Sequence, residues 1–199
     1  YGYPYPTNST VPADEIIIPI FATSDMHGNA LADSKNSSNN ETFKQGGGEL
    51  LVSFYHILKD EWEDLLWFDC GDIFQGAYES KISNGEAMRT ILKHVDATTF
   101  GNHEFDFGPE YLLNKTKDYP FVSANVYKAG KTFEADESID ESAKIYDVVN
   151  DTKIFTTKDG IKIGVIGLTT NETKSSTGGD LSQVNIIEDE ETDDEDDDE

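Results

Sequence analysis

Five residues have the types and spacing to do chemistry together: Asp25, His27, Asp72, Asn102 and His103. They supply two carboxylates, two imidazoles and one amide, a mixed oxygen and nitrogen set that suits hard or borderline divalent ions such as Mn²⁺ or Zn²⁺. One carboxylate can be shared by two ions, and a pair of ions roughly 3.5 to 4 Å apart can clamp phosphoryl oxygens, which points to phosphoester hydrolysis. Any one Asp after a strand is more often a turn or cap residue. The joint pattern carries the inference, with Gly28 after His27, Gly71 before Asp72 and Gly101 before Asn102 letting the backbone bend beside the ligands.

Such a site needs elements that bring three distant segments together. Ile16 to Ser24 is apolar and β-branched and breaks at Asp25-Met26-His27-Gly28, which predicts a buried strand entering a polar loop. Leu65 to Phe68 and Ala97 to Phe100 predict two further strands, ending at Asp69-Cys70-Gly71-Asp72 and Gly101-Asn102-His103-Glu104. Leu50, Leu51, Phe54, Tyr55 and Leu58 recur at helical spacing, and Gly85 to His94 predicts a second amphipathic helix with Met88, Ile91 and Leu92 inward. Asn29 to Gly48 reads as a long surface loop, and Pro109 opens another helix. Phe121 to Ala124 predicts a fourth strand, and Lys144 to Val149, Lys153 to Thr157 and Lys162 to Gly167 predict antiparallel hairpin strands. The alternation of strand and helix predicts an α/β layered fold with a mostly parallel sheet, and open sheets of this kind hold ligands outside the carboxyl ends of their strands.

Composition narrows the partners. The chain has 199 residues and a formal net charge of −25, and eleven carboxylates lie in the stretch Glu188 to Glu199, leaving −14 on the body. That body repels nucleic-acid backbones and anionic lipid, so no nucleic-acid partner is expected. The longest apolar stretch, Ile16 to Ala22, is interrupted by Pro19 and is far too short to span a bilayer. Tyr1 to Glu15 reads as an extended leader, 16–187 as one domain, and 188–199 as a disordered acidic tail. Six Asn-X-Ser/Thr patterns, at Asn8, Asn36, Asn40, Asn114, Asn150 and Asn171, favour a glycosylated protein that is secreted or displayed at the cell surface. Cys70 is the one cysteine and reads as a buried packing thiol. His56 reads as a surface residue and His94 as a helix-end residue, both outside any site.

The segments Ser24-Asp25-Met26-His27-Gly28, Gly71-Asp72-Ile73-Phe74-Gln75-Gly76 and Gly101-Asn102-His103-Glu104-Phe105-Asp106-Phe107-Gly108 resemble the motifs of the calcineurin-like metallophosphoesterases, in their 5′-nucleotidase and cyclic-nucleotide phosphodiesterase branch. The resemblance implies an α/β/β/α layered sandwich, a nucleotide substrate and two divalent metal ions, zinc or manganese. It implies that Asp25 and His27 bind the first ion, that Asp72 is shared, and that Asn102 binds the second. It makes His103 the catalytic histidine, positioned by Asp106, and not a metal ligand.

The resemblance also sets a limit. The family pattern continues into a strand ending in histidine and a Gly-His-X-His segment, and no histidine follows His103. The expectation is therefore a domain incomplete at its C-terminal side, with an unfinished metal site and weak or no activity. The alternative is a vestigial module that binds cations or a basic partner without catalysis.

Overall fold

Phe21 and Trp67 fix the centre of the sheet. The computed structural model describes residues 15–36, 41–108, 111, 112, 114, 117, 119–130 and 149–187. Strand β1 (Ile20–Thr23) pairs in parallel with β4 (Leu66–Asp69), which pairs in parallel with β5 (Ala97–Thr98). Side chains alternate between faces along each strand, so Phe21 and Trp67 share the face that meets α1 (Gly48–Glu61), with ring centres 5.0 Å apart and Tyr55 5.0 Å from Trp67. The Trp67 indole N–H donates to Thr23 Oγ1 at 2.8 Å, so this fully buried ring leaves no orphaned donor. On the opposite face Phe68 meets Phe155 of β7 (Thr152–Thr156), 5.7 Å between ring centres. Strand β7 pairs antiparallel with β8 (Lys162–Ile166) across the Asp159-Gly160 turn. Helix on one face of a parallel sheet and a β layer on the other is the α/β class that the strand and helix order predicts.

Several boundaries differ from expectation. The stretch expected to be a loop contains a hairpin, β2 (Asp33–Asn36) against β3 (Thr42–Gln45), whose residues are all exposed, so no apolar alternation marks it. On α1, Leu51 and Leu58 are partly buried and Tyr55 is buried, but Leu50 and Phe54 are 39% and 38% exposed, making the apolar stripe narrower than predicted. The helix expected from Gly85 to His94 is split into a 3₁₀ turn, Glu86–Met88, and a short α3 (Arg89–Leu92). An unforeseen α2 (Tyr78–Ile82) precedes it. Phe121 and Val122 make isolated parallel bridges to Thr98 and Asn150, not a full strand. Strand β6 (Val126–Lys128) pairs antiparallel with β9 (Val184–Ile186), and α4 (Thr173–Ser176) lies between β8 and β9. Pro109, the 144–148 segment, the leader through residue 14 and the acidic tail lie outside the described residues.

Two glycines allow the strand ends to close on each other. Gly71 has φ +95°, and a Cβ there would stand 2.3 Å from the Gly101 backbone nitrogen. Gly101 has φ −86°, so bending is not its role; a Cβ there would stand 2.3 Å from Asp72 Oδ1. The bend expected at Gly101 is thus a close approach instead. Gly71→Ala is expected to cost about 3 kcal/mol or more, because a left-handed conformation and a backbone collision combine. Gly160→Ala, at φ +84° with open space around it, is expected to cost about 1 kcal/mol. Urea unfolding of both variants measures the difference, and equal losses would refute the close-approach argument.

Candidate functional site

The ends of β1, β4 and β5 lie side by side, and the backbone joins their loops. Asp25 N–H donates to Gly71 O at 3.1 Å, His27 N–H to Asp72 O at 2.8 Å and Gly28 N–H to Ile73 O at 2.7 Å. The third loop is attached by side chains, those of Glu104 and Asp72. Glu104, fully buried, accepts N–H bonds from Gly101 and Asp72 at 2.7 Å and from Ile73 at 2.6 Å. Asp72 reciprocates, its Oδ1 accepting the His103 backbone N–H at 2.8 Å. Burial pushes the Glu104 carboxyl up to about 7, against the opposing pull of the three N–H donors, with the Asp72 charge adding to the rise.

Beneath the loops sits a second buried carboxylate. Asp69, 3% exposed, accepts from Thr23 Oγ1 at 2.6 Å, Thr98 Oγ1 at 3.1 Å and Gly71 N–H at 2.9 Å, so one side chain spans all three strands. Its burial raises its pKa above the usual carboxylate range despite those three donors. Neither Glu104 nor Asp69 stands out in the sequence reading, because both lie within polar clusters whose other members have the ligand types. Their burial is the distinguishing property, and a single sequence does not display it.

Backbone strain marks the same place. Four described residues other than glycine have positive φ, and three of them are Asp25 (53°), His27 (46°) and Asp72 (56°). Such conformations cost of order 1 to 3 kcal/mol and persist where surrounding bonds enforce them.

Both imidazoles are wired through Nδ1. His27 Nδ1 lies 3.0 Å from Gln75 O, and its Nε2 lies 3.5 Å from Asp25 Oδ1. His103 Nδ1 lies 2.6 Å from Asp106 Oδ2. Asp106 is itself held by Thr177 Oγ1 at 2.9 Å and Gly178 N–H at 2.8 Å. Partial burial alone would lower the His103 pKa, but the hydrogen bond and charge of Asp106, with the charges of Asp72 and Glu104, outweigh it and raise the value. Burial would raise the pKa of Asp106, and the bonds from His103, Gly178 and Thr177 reverse that and lower it. The two imidazole rings are 5.0 Å apart.

All six residues singled out from the sequence are thus in one place. His27, Asp72 and His103 each offer a donor atom, mutually within 4.8 Å. Asp25 flanks His27, and Asn102 Nδ2 donates to Ser176 O at 3.2 Å, leaving its Oδ1 without a hydrogen bond among the described residues. The imidazole and carboxylate donors of His27, Asp72 and His103 are of the types that fit a borderline divalent cation. An open groove of about 680 Å³ adjoins Asp25, lined among others by Met26, Gln45, Leu50 and Glu79. Cys70 is exposed, not buried as expected, because the turn that aims Asp72 carries its neighbour outward. Among the described residues no helix is long and apolar enough to cross a membrane.

Comparison with known proteins identifies the family of the fold. The chain is 29% identical to a 5′-nucleotidase of Bos taurus over 161 residues, covering 77% of this chain and 26% of the bovine protein. It is 33% identical to protein UshA of Salmonella pullorum over 172 residues, covering 78% of this chain and again 26% of that protein. Among solved structures, the 5′-nucleotidase precursor from Thermus thermophilus superposes with a TM-score of 0.68 at 25% identity, covering 85% of this chain and 31% of that one. The NAD nucleotidase NadN of Haemophilus influenzae superposes with a TM-score of 0.66 at 26% identity, covering 85% of this chain and 29% of that one. The chain therefore spans between a quarter and a third of the length of these relatives. The calcineurin-like phosphoesterase family model matches residues 18–198, nearly the whole chain, and the protein belongs to that family.

Proposed function

We propose that this chain carries the nucleotide-hydrolysing half-site of a 5′-nucleotidase-type phosphoesterase, with Asp25 and His27 holding one divalent ion, Asn102 a second, and Asp72 shared. The observation that carries the reading is the convergence of three strand ends on His27, Asp72 and His103, with donor atoms within 4.8 Å. Bound divalent ions supply Lewis-acid charge to a phosphoryl group and a more acidic water.

The chain's own residues divide the remaining work. The Gln75 carbonyl accepts from His27 Nδ1–H and so leaves the Nε2 lone pair for an ion. The Asp106 carboxylate holds the His103 ring and favours its protonated form, so a proton at Nε2 faces the phosphoryl or leaving oxygen. Glu104 keeps the Asp72 and Asn102 loops in register without touching substrate. The groove beside Asp25 gives a leaving group room.

A secretory route is supported by the exposed Asn36, Asn114 and Asn150. Asn171 differs, since its Oδ1 and the whole of Thr173 are buried. Glycopeptide mass spectrometry on protein from a secretory host is expected to find glycan at exposed sites and none at Asn171. Glycan at Asn171 in folded protein would contradict this assignment.

His103→Ala is expected to leave bound metal unchanged while lowering release of phosphate from a nucleoside monophosphate about 10²- to 10³-fold. Asp72→Asn is expected to lose at least one ion. Metal analysis of the purified variants decides between roles: loss of an ion in His103→Ala would make this histidine a ligand, as its nearness to His27 and Asp72 permits. Glu104→Gln replaces a charged acceptor with an amide whose NH₂ must face an N–H donor. It is expected to cost about 2 to 3 kcal/mol and to weaken metal binding about tenfold or more. Urea unfolding and calorimetric titration with Mn²⁺ measure the two effects, and unchanged metal affinity would remove Glu104 from the support of the site.

A further inference from the structure

The two histidines outside the site face one another. His56 lies on α1 and His94 on the turn between α3 and β5, and their ring centres are 4.8 Å apart at an interplanar angle of 88°. We propose that His56 and His94 form a second, separate site for a borderline divalent ion of the zinc, nickel or copper class. It lies toward the amino end of β5, whereas the phosphoesterase site follows the carboxyl end of that strand. His56 is also eight residues along α1 from Gly48, about 12 Å of helix rise.

Geometry carries the assignment. With metal–nitrogen bonds of about 2.0 to 2.1 Å, two imidazoles on one ion have ring centres about 4.5 Å apart at a right angle and about 5.2 Å apart at the tetrahedral angle. The observed 4.8 Å falls between those limits. The two rings come from separate segments, so an ion held by both would tie α1 to the chain entering β5.

The surroundings favour neutral, available imidazole. Among the described residues neither ring has a hydrogen bond or an ion pair, unlike His27 and His103. Burial lowers the His94 pKa, with His56 and Lys93 adding to the effect, so its lone pair is free at neutral pH. The nearest ring on the core side is Tyr55, 6.3 Å from His94, and Asp96 is occupied in accepting the Trp67 backbone N–H at 2.8 Å. Among the described residues no carboxylate competes as a fixed partner, so water would fill the remaining positions. An all-nitrogen protein donor set selects copper, nickel and zinc over magnesium or calcium, which prefer oxygen.

The test is titration of the full chain with Cu²⁺ in excess Mg²⁺, which occupies carboxylate sites, read by calorimetry and by quenching of tryptophan fluorescence. Tyr55 links the pair to the Trp67 indole, with ring centres 5.0 Å apart. A Cu²⁺ binding event is expected that weakens about tenfold or more in His56→Gln and in His94→Gln and persists in Asp72→Asn. His56 is exposed, so His56→Gln keeps the test valid if His94→Gln disturbs packing, with circular dichroism as the check on folding. Binding that ignores His56, or that disappears in Asp72→Asn, would overturn the assignment. The phosphoesterase reading stands or falls separately, on the metal content of the Asp72 variant.

Discussion

The buried carboxylate of Glu104 is the interaction on which the site depends. Three loops must meet at one point, and the backbone alone ties only the first two, through Asp25, His27 and Gly28 to the chain from Gly71 to Ile73. The loop after β5 is joined by side chains: Glu104 gathers the N–H groups of Gly101, Asp72 and Ile73, and Asp72 Oδ1 accepts the His103 N–H. With the carboxyl ionised, each charge-assisted bond of this kind contributes about 1.5 to 3 kcal/mol, and each donor left without it carries a desolvation cost. That strength is what holds Asp72 at φ 56°, where its side chain leaves the sheet and faces His103.

Charge explains why such an arrangement asks for cations. Asp25, Asp69, Asp72, Glu104 and Asp106 gather at and beyond the three strand ends, with His27 beside Asp25 and His103 beside Asp106. Glu104 and Asp69 respond with pKa values above the usual range, the direction expected when burial and like charge both oppose ionisation. Asp25 and Asp72 stand where a divalent ion would offset that repulsion, and Asn102 adds an oxygen without adding charge. Strain at Asp25, His27 and Asp72 belongs to the same loops, which hold these residues in conformations an unsupported chain would leave.

The site is more legible in the sequence than the frame around it. Asp25, His27, Asp72, Asn102 and His103 can be picked out because polar ligand types interrupt apolar strands, a contrast visible in one sequence, whereas Asp106 is reached only through the family resemblance. The β2–β3 hairpin is invisible there, since a hairpin with all residues exposed has no apolar period. The split of the Gly85 to His94 helix is equally hidden, because Met88, Ile91 and Leu92 keep helical spacing through a 3₁₀ turn. Glu104 and Asp69 escape notice for a different reason: their importance is burial beside backbone donors, which depends on how strands register. The pairing of Thr23 with Asp69 and of Asp69 with Thr98 creates it, and neither pairing is written locally.

The different roles proposed for His27 and His103 rest on their partners, since both rings bond through the same atom. Both bond through Nδ1, and their rings are 5.0 Å apart. Their partners differ in charge. The Gln75 carbonyl fixes the His27 tautomer without adding a negative charge, which leaves a lone pair at Nε2 suited to a cation. Asp106 adds a carboxylate, its pKa lowered by the bonds from His103, Gly178 and Thr177, and it raises the His103 pKa, favouring the protonated ring. A protonated imidazole repels a cation and attracts an anion. The proposed division between ligand and proton donor would then lie in one partner atom on each ring, and it would reach back through Thr177 and Gly178, which lie 71 and 72 residues beyond Asp106.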